Sequence, residues 1–273
     1  MDRFSAVVRS QLRAMGEAFA SLVFPAPCRI CAQMLDTGNR IPFCHACVAA
    51  LSLTLPEPLC ARCGRPIVSS AVMTGITSPL CHLCRLGAYD FDFVRSFGAY
   101  TSPMARAILM LKYGEITPLG GWFAKRLARV AARFAGEFAV DVVVPVPLHA
   151  SRLRERGYNQ AELIARPLAR ILDIPFRSYL LVRTRPRPDK LRLTRRERWE
   201  TVRGAYATRE GAQVDKLRVL LVDDVLTTGA TLDACSRALR GAGAVRVVGL
   251  TVARALPSLV APDAGQWDQD LTV

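Results

Sequence analysis

Four cysteine pairs and one pair of aspartates are the residues of this 273-residue chain whose types and spacing could do chemistry. The cysteines stand two residues apart in each pair: Cys28/Cys31, Cys44/Cys47, Cys60/Cys63 and Cys81/Cys84. That spacing lets both sulfurs of a tight turn face one point, and two such turns complete a tetrahedral zinc site. Pairing in chain order gives two zinc ribbons; a crossed pairing, first with third and second with fourth, fits as well, and redox-active or simply buried cysteines are the plain alternative. Four sulfurs per site leave no open position, so two structural Zn²⁺ ions serving folding or docking are expected. His45 and His82 lie inside CxxC turns and are read as non-ligands; Cys235 reads as a small core residue.

Asp223 and Asp224 lie in "VLLVDDVLTTGATL", residues 219–232. Val219 to Val222 is short, β-branched and apolar throughout, as a strand buried on both faces reads. The acids therefore stand at a strand's carboxyl end. Beyond them Thr227, Thr228, Gly229, Ala230 and Thr231 lead into Leu232–Arg240, whose apolar spacing suits a helix. A hydroxyl-rich turn at a helix N-terminus points free backbone N–H groups at an anion.

The elements needed to position these groups recur along the chain. Phe91 onward begins like a strand, and Ala105–Leu111 and Trp122–Phe134 carry helical periodicity. Asp141–Val146 reads as a buried strand, residues 159–172 as a helix and Tyr179–Arg183 as a second strand. A basic, proline-broken loop runs from Thr184 to about Arg203, and Val245–Val252 is a last apolar strand. Strands alternating with helices predict an α/β fold with a parallel sheet and ligands at the strands' carboxyl ends. The expected organisation is an amphipathic helix over 1–27, a double zinc ribbon over 28–87, the α/β domain over 88–256 and a polar, unstructured tail over 257–273.

A net charge of +14 favours polyanionic partners: phosphorylated substrates, nucleic acid or anionic lipid. Arg9, Arg13 and Glu17 interrupt the apolar residues near the start, and Gly, Pro and His disqualify Pro66–Cys84 as a membrane span. A soluble, cytoplasmic protein is expected, and a reducing compartment favours metal over disulfides.

The anion can be narrowed. No GxxxxGK[ST] loop is present, and "GAGAVR" at 241–246 lacks the last glycine of a dinucleotide fingerprint. The acid pair followed by Thr-Gly-x-Thr resembles the 5-phosphoribosyl-1-diphosphate motif of type I phosphoribosyltransferases. In that reading Asp223 and Asp224 accept hydrogen bonds from the ribose hydroxyls and stabilise positive charge at the anomeric carbon, while residues 227–231 wrap the 5′-phosphate. Mg²⁺ is expected to accompany the diphosphate. Arg152, Arg154 and Arg156, just past the first strand of the sheet, stand where the leaving group would be held.

The linked set "LKYGE", "VPVPLHASRLRERGYNQA", "RTRPRPDKLRLTRRERWETVRGAY" and "VLLVDDVLTTGATL", behind "LVFPAPCRIC", resembles the ComF family of competence-associated proteins over about residues 20–255. The resemblance implies a zinc-ribbon segment joined to a phosphoribosyltransferase-like domain and an association with uptake of single-stranded DNA. It also implies that Lys112, Arg156, Gly157, Asn159, Gln160 and Arg198 lie near the phosphates or the mobile loop. In the loop pattern Q-x-x-L-x-x-x-[ER]-R-x-x-N this chain reads Lys190, Leu193, Glu197, Arg198 and Thr201, so the Gln and Asn are lost while Lys190 adds charge. Plain roles stand beside these: Lys112 as a helix C-terminal cation, Asn159 and Gln160 as a helix start, His149 on a loop surface.

Arg183–Arg203 holds nine Lys or Arg against three acids. Such a stretch could close over a diphosphate as a lid, or track a nucleic-acid backbone with Trp199 and Tyr206 as stacking faces; lid or core packing is the plainer role for Trp199. Three functions follow: a 5-phosphoribosyl-1-diphosphate-binding module that also binds single-stranded DNA, which we favour; an active phosphoribosyltransferase with a nitrogen acceptor; and a zinc-ribbon adaptor for a helicase-like DNA-translocating partner.

Overall fold

The computed structural model describes residues 27–35, 41–51, 55–67, 79–136, 138–186 and 195–256. The helix expected before residue 27, the tail from 257 and Lys190 lie outside them. Two compact units divide the chain, Met1–Leu53 and Thr54–Val273.

In the first unit, a turn at Cys28–Cys31 is followed by helix α1 (His45–Ala50), which starts inside the second CxxC. The second unit opens with the same pattern, its CxxC at Cys81–Cys84 carrying the short helix α2 (His82–Arg85). The two first turns match bond for bond. Cys28 N–H donates to Gln33 O and Ala32 N–H to Cys28 O, as Cys60 N–H donates to Arg65 O and Gly64 N–H to Cys60 O. Ala32 and Gly64 share a left-handed conformation (φ 62° and 63°). The two cysteine segments are one structural unit written twice, a repeat that only the cysteine spacing betrays in sequence.

The rest of the second unit runs β1 (Phe93–Ala99), α3 (Ser102–Tyr113), α4 (Pro118–Arg133), β2 (Val142–Pro145), α5 (Ala150–Arg156), α6 (Gln160–Leu172), β3 (Leu181–Arg183), α7 (Arg195–Val202), β4 (Tyr206–Thr208), β5 (Arg218–Leu226), α8 (Ala230–Gly241) and β6 (Arg246–Arg254). Four of the strands form an all-parallel sheet in the order β1-β6-β5-β2. Continuous burial along β5 and β6 requires cover on both faces. Helices α4 and α6 pack together over one face. Their approach is tight enough that a Cβ on Gly120 would meet Leu163 O at 2.4 Å. On the other face Val219, Leu221 and Val247 share a core with Leu232, Cys235 and Leu239 of α8 and with Cys60, Cys63 and Cys84. The second cysteine cluster is thus part of the sheet's own core.

Two expectations need correction. The strand expected at Tyr179–Arg183 shortens to β3, which leaves the main sheet and pairs antiparallel with β4. Its place at the sheet edge goes to Pro175–Arg177, bonded on both sides to Val143. The basic stretch to Arg203 is not loop throughout, because past its prolines Arg195–Val202 is helical. Arg and Glu are good helix formers, and Arg196 pairs with Glu200 one turn on at 2.8 Å.

Candidate functional site

Strand β5 carries both acids, and it runs four residues further than the apolar run suggests. Beside it β6 continues, pairing Asp223 with Thr251 and Leu226 with Arg254, whereas β2 stops at Pro145 opposite Val222. The acids therefore lie where one side of β5 loses its neighbour, and a cleft opens at the sheet's carboxyl edge. Both are buried, at 9% and 5% exposure.

Lys112, in the last turn of α3, reaches across to Asp224, with Nζ 2.8 Å from Oδ2. Oδ2 has no aligned hydrogen bond, so the contact is an ion pair first. Burial alone would lower the Lys112 ammonium, but Asp224 and Asp223 outweigh it and hold it above its ordinary value. Asp223 is pushed up to about 8 by burial and then by the neighbouring Asp224 charge, against the N–H of Asp224 that Oδ1 accepts at 2.8 Å. The raised Asp223 carboxyl and the Lys112–Asp224 ion pair thus meet in one cleft. A carboxyl raised this way can donate to a diol as well as accept from it.

Five residues past Asp224, Gly229 turns the chain into α8 at φ 88°, and Ala230 N–H donates to Thr228 Oγ1 at 3.3 Å. The first N–H groups of α8 have no earlier carbonyl within the helix to bond. Thr227, Thr228, Ala230 and Thr231 line the same cleft as Asp223, Asp224, Lys112 and Gln160. Gly229 supplies the turn behind them.

The remaining predicted residues divide. Arg152 and Arg156 line an adjoining hollow that shares Lys112. Arg152 is paired with Glu155 at 3.0 Å, while Arg156 lies over the Tyr113 ring and donates to Gln160 Oε1, tying it to the cleft wall. Arg154, exposed on α5, lines neither cavity. Asn159 is the N-cap of α6, accepting from Ala161 N–H and donating to the carbonyl of the cleft residue Val146 at 3.0 Å. His149 caps α5 through Ser151 N–H. Arg198 belongs to α7 by its backbone. The sequence did not single out Leu148, Arg183 and Val202 as cleft residues. The partly buried Trp199, three residues before Val202, was the available signal that this stretch folds back onto the core.

The cysteines group in chain order, which settles the pairing: Cys28, Cys31, Cys44 and Cys47 form one set and Cys60, Cys63, Cys81 and Cys84 the other, each with all sulfurs within 4.8 Å. Sulfurs 2.3 Å from a tetrahedral ion stand about 3.8 Å apart. Cys31 to Cys44 and Cys63 to Cys81 measure 3.6 and 3.7 Å. Backbone N–H groups of Cys44 and Cys81 donate to the sulfurs of Cys28 and Cys60, each at 3.3 Å, as suits thiolates. Both sets fit a structural zinc ion. Among the described residues no helix is long and apolar enough to cross a membrane.

Two families of known domains match parts of this chain. Residues 19–85 match the double zinc ribbon domain family and residues 159–270 the phosphoribosyl transferase domain family. A DNA utilization protein, YhgH, of Salmonella typhi is 28% identical over 83% of this chain and 96% of its own length. Competence protein F of Haemophilus influenzae is 29% identical over 72% of this chain and 85% of its own. Competence protein ComFC of Bacillus subtilis is 27% identical over 72% and 77%.

Proposed function

We propose that this chain, a double zinc ribbon followed by a phosphoribosyltransferase domain with homologues named for competence and DNA utilization, binds 5-phosphoribosyl 1-diphosphate and single-stranded DNA and acts in DNA uptake. The observation that carries the ligand half is the convergence, in one cleft, of a buried acid pair, its lysine and a threonine-rich turn opening a helix. The 5′-phosphate fits the turn, where N–H groups and threonine hydroxyls favour a dianion. The ribose hydroxyls fit Asp223 and Asp224, one able to donate and one only to accept. The diphosphate extends toward Lys112 and Arg156. Mg²⁺ suits this site as the diphosphate's companion, neutralising its oxygens and keeping several waters, since Asp224 is engaged with Lys112 and Asp223 is largely protonated. Should turnover occur, Asp224 is the group placed to stabilise positive charge at the anomeric carbon.

The DNA half rests on charge. Besides the basic stretch 183–203, Lys125, Arg129 and Arg133 recur every four residues along the exposed side of α4 with no ion pair among the described residues. Trp122 lies beside them under Arg126, whose Cζ is 3.1 Å from the ring centroid. A cationic stripe edged by an aromatic suits a single strand.

Calorimetry with 5-phosphoribosyl 1-diphosphate and Mg²⁺ tests the ligand half. The wild type is expected to bind, and Asp223→Asn with Asp224→Asn to bind about 100-fold more weakly, on the order of 3 kcal/mol for one charge-assisted and one neutral hydrogen bond, with both zinc ions retained. Equal affinity in the two proteins would refute the assignment.

A further inference from the structure

Tyr89 touches the phosphate turn and shares a core with the second cysteine cluster. It follows Cys84 by five residues and is 2% exposed. Its hydroxyl donates to Thr228 O at 2.8 Å, and a Cβ on Gly229 would come within 2.7 Å of its ring. The turn's backbone is thus set against an aromatic edge and a single hydrogen bond.

The segment bearing Tyr89 is fixed from two sides. Toward α8, Asp90 N–H donates to Asp233 at 2.7 Å, and Arg240 holds Asp90 O and the Asp92 carboxylate at 2.7 and 2.6 Å. Toward the cysteines, Tyr89 stacks on Phe91 at 4.7 Å and shares a core with Cys60, Cys63 and Cys84. The Cys60–Cys63 turn is itself bonded to the sheet: Arg254, 1% exposed, donates to Cys63 O at 2.6 Å, Arg95 to Ala61 O at 2.7 Å, and Arg62 to Phe91 O at 2.9 Å. A metal that closes this turn therefore fixes the footing of the residue that shapes the phosphate turn.

We propose that Tyr89 is a positioning residue for the phosphate turn and that the second cysteine cluster, through Tyr89, sets the protein's affinity for a sugar 5-phosphate. The inference rests on the reading of the 227–231 turn as a phosphate site. It assigns the second zinc a role in ligand affinity beyond holding its own segment together.

The full chain is titrated by calorimetry with two separate probes, ribose 5-phosphate and Mg²⁺-diphosphate, with zinc content and thermal unfolding measured alongside. Tyr89→Phe keeps the ring and removes one hydrogen bond. It is expected to weaken ribose 5-phosphate roughly fivefold, as one lost bond of about 1 kcal/mol would, and to leave diphosphate affinity and two zinc ions unchanged. Cys81→Ser, at a half-buried ligand, is expected to lose one zinc and weaken ribose 5-phosphate further. In the Tyr89→Phe background that second loss shrinks, because both substitutions act on one path. Unchanged ribose 5-phosphate affinity in Tyr89→Phe, an equal loss for both probes, or additive effects in the double variant each overturn the proposal. A wild type that binds diphosphate but not ribose 5-phosphate instead overturns the phosphate-site reading beneath it, and the wild-type titration tells the two failures apart.

Discussion

Asp223 illustrates how the site sets its own proton count. A carboxyl held near 8 in the folded chain, against an ordinary 3.8, is protonated when folded and ionised when unfolded across the interval between those values. The folded state then binds more protons, so this group's contribution makes stability fall as pH rises from about 4 to about 8. Asp223→Asn removes that dependence. Denaturant midpoints measured from pH 4 to 8 should decline more steeply for the wild type than for Asp223→Asn; parallel profiles would mean that Asp223 titrates normally. Lys112 was legible only as a residue of "LKYGE" with two possible roles. The structure favours the cleft over a helix-end cation, because Asp224, 112 residues away in sequence, lies 2.8 Å from it. No local pattern reports such a contact.

Among the elements, β5 and α8 were the most legible, since apolar continuity followed by Thr and Gly marks a strand, a turn and a helix start within fourteen residues. The ends were less so. Strand β5 outlasts its apolar run because β6 still pairs with it, a tertiary reason absent from β5 itself. In the stretch after Arg183, prolines and charge mask a helix that Trp199 anchors against Tyr89, ring centroids 5.8 Å apart. Helix α4 carries its own prediction. Lys125, Arg129 and Arg133 repel one another at i,i+4 spacing, and a bound phosphate chain would relieve that repulsion. Replacing all three with Gln should weaken single-stranded DNA and flatten the plot of log affinity against log salt by about two to three slope units. An unchanged slope would exclude α4 from the DNA contact.

For the molecule as a whole, the parallel sheet, the four cysteine pairs and the acids and turn that share one cleft are legible in the sequence, because all depend on spacings within a few dozen residues. It could not show that the second cysteine set shares the sheet's core, because that rests on pairs such as Arg254 with Cys63, 191 residues apart. Nor did it order the cysteine pairs, which only the geometry decides. The result is a threonine-rich turn set against the segment that follows the second cysteine set, in the same cleft as the acids of one strand.

The most direct test is a crystal structure of the full chain with 5-phosphoribosyl 1-diphosphate and Mg²⁺. The 5′-phosphate is expected on the backbone of residues 227–231 and the ribose hydroxyls within hydrogen-bond reach of Asp223 and Asp224. Density for the compound at any other surface, with this cleft holding only solvent at saturating ligand, would contradict that placement.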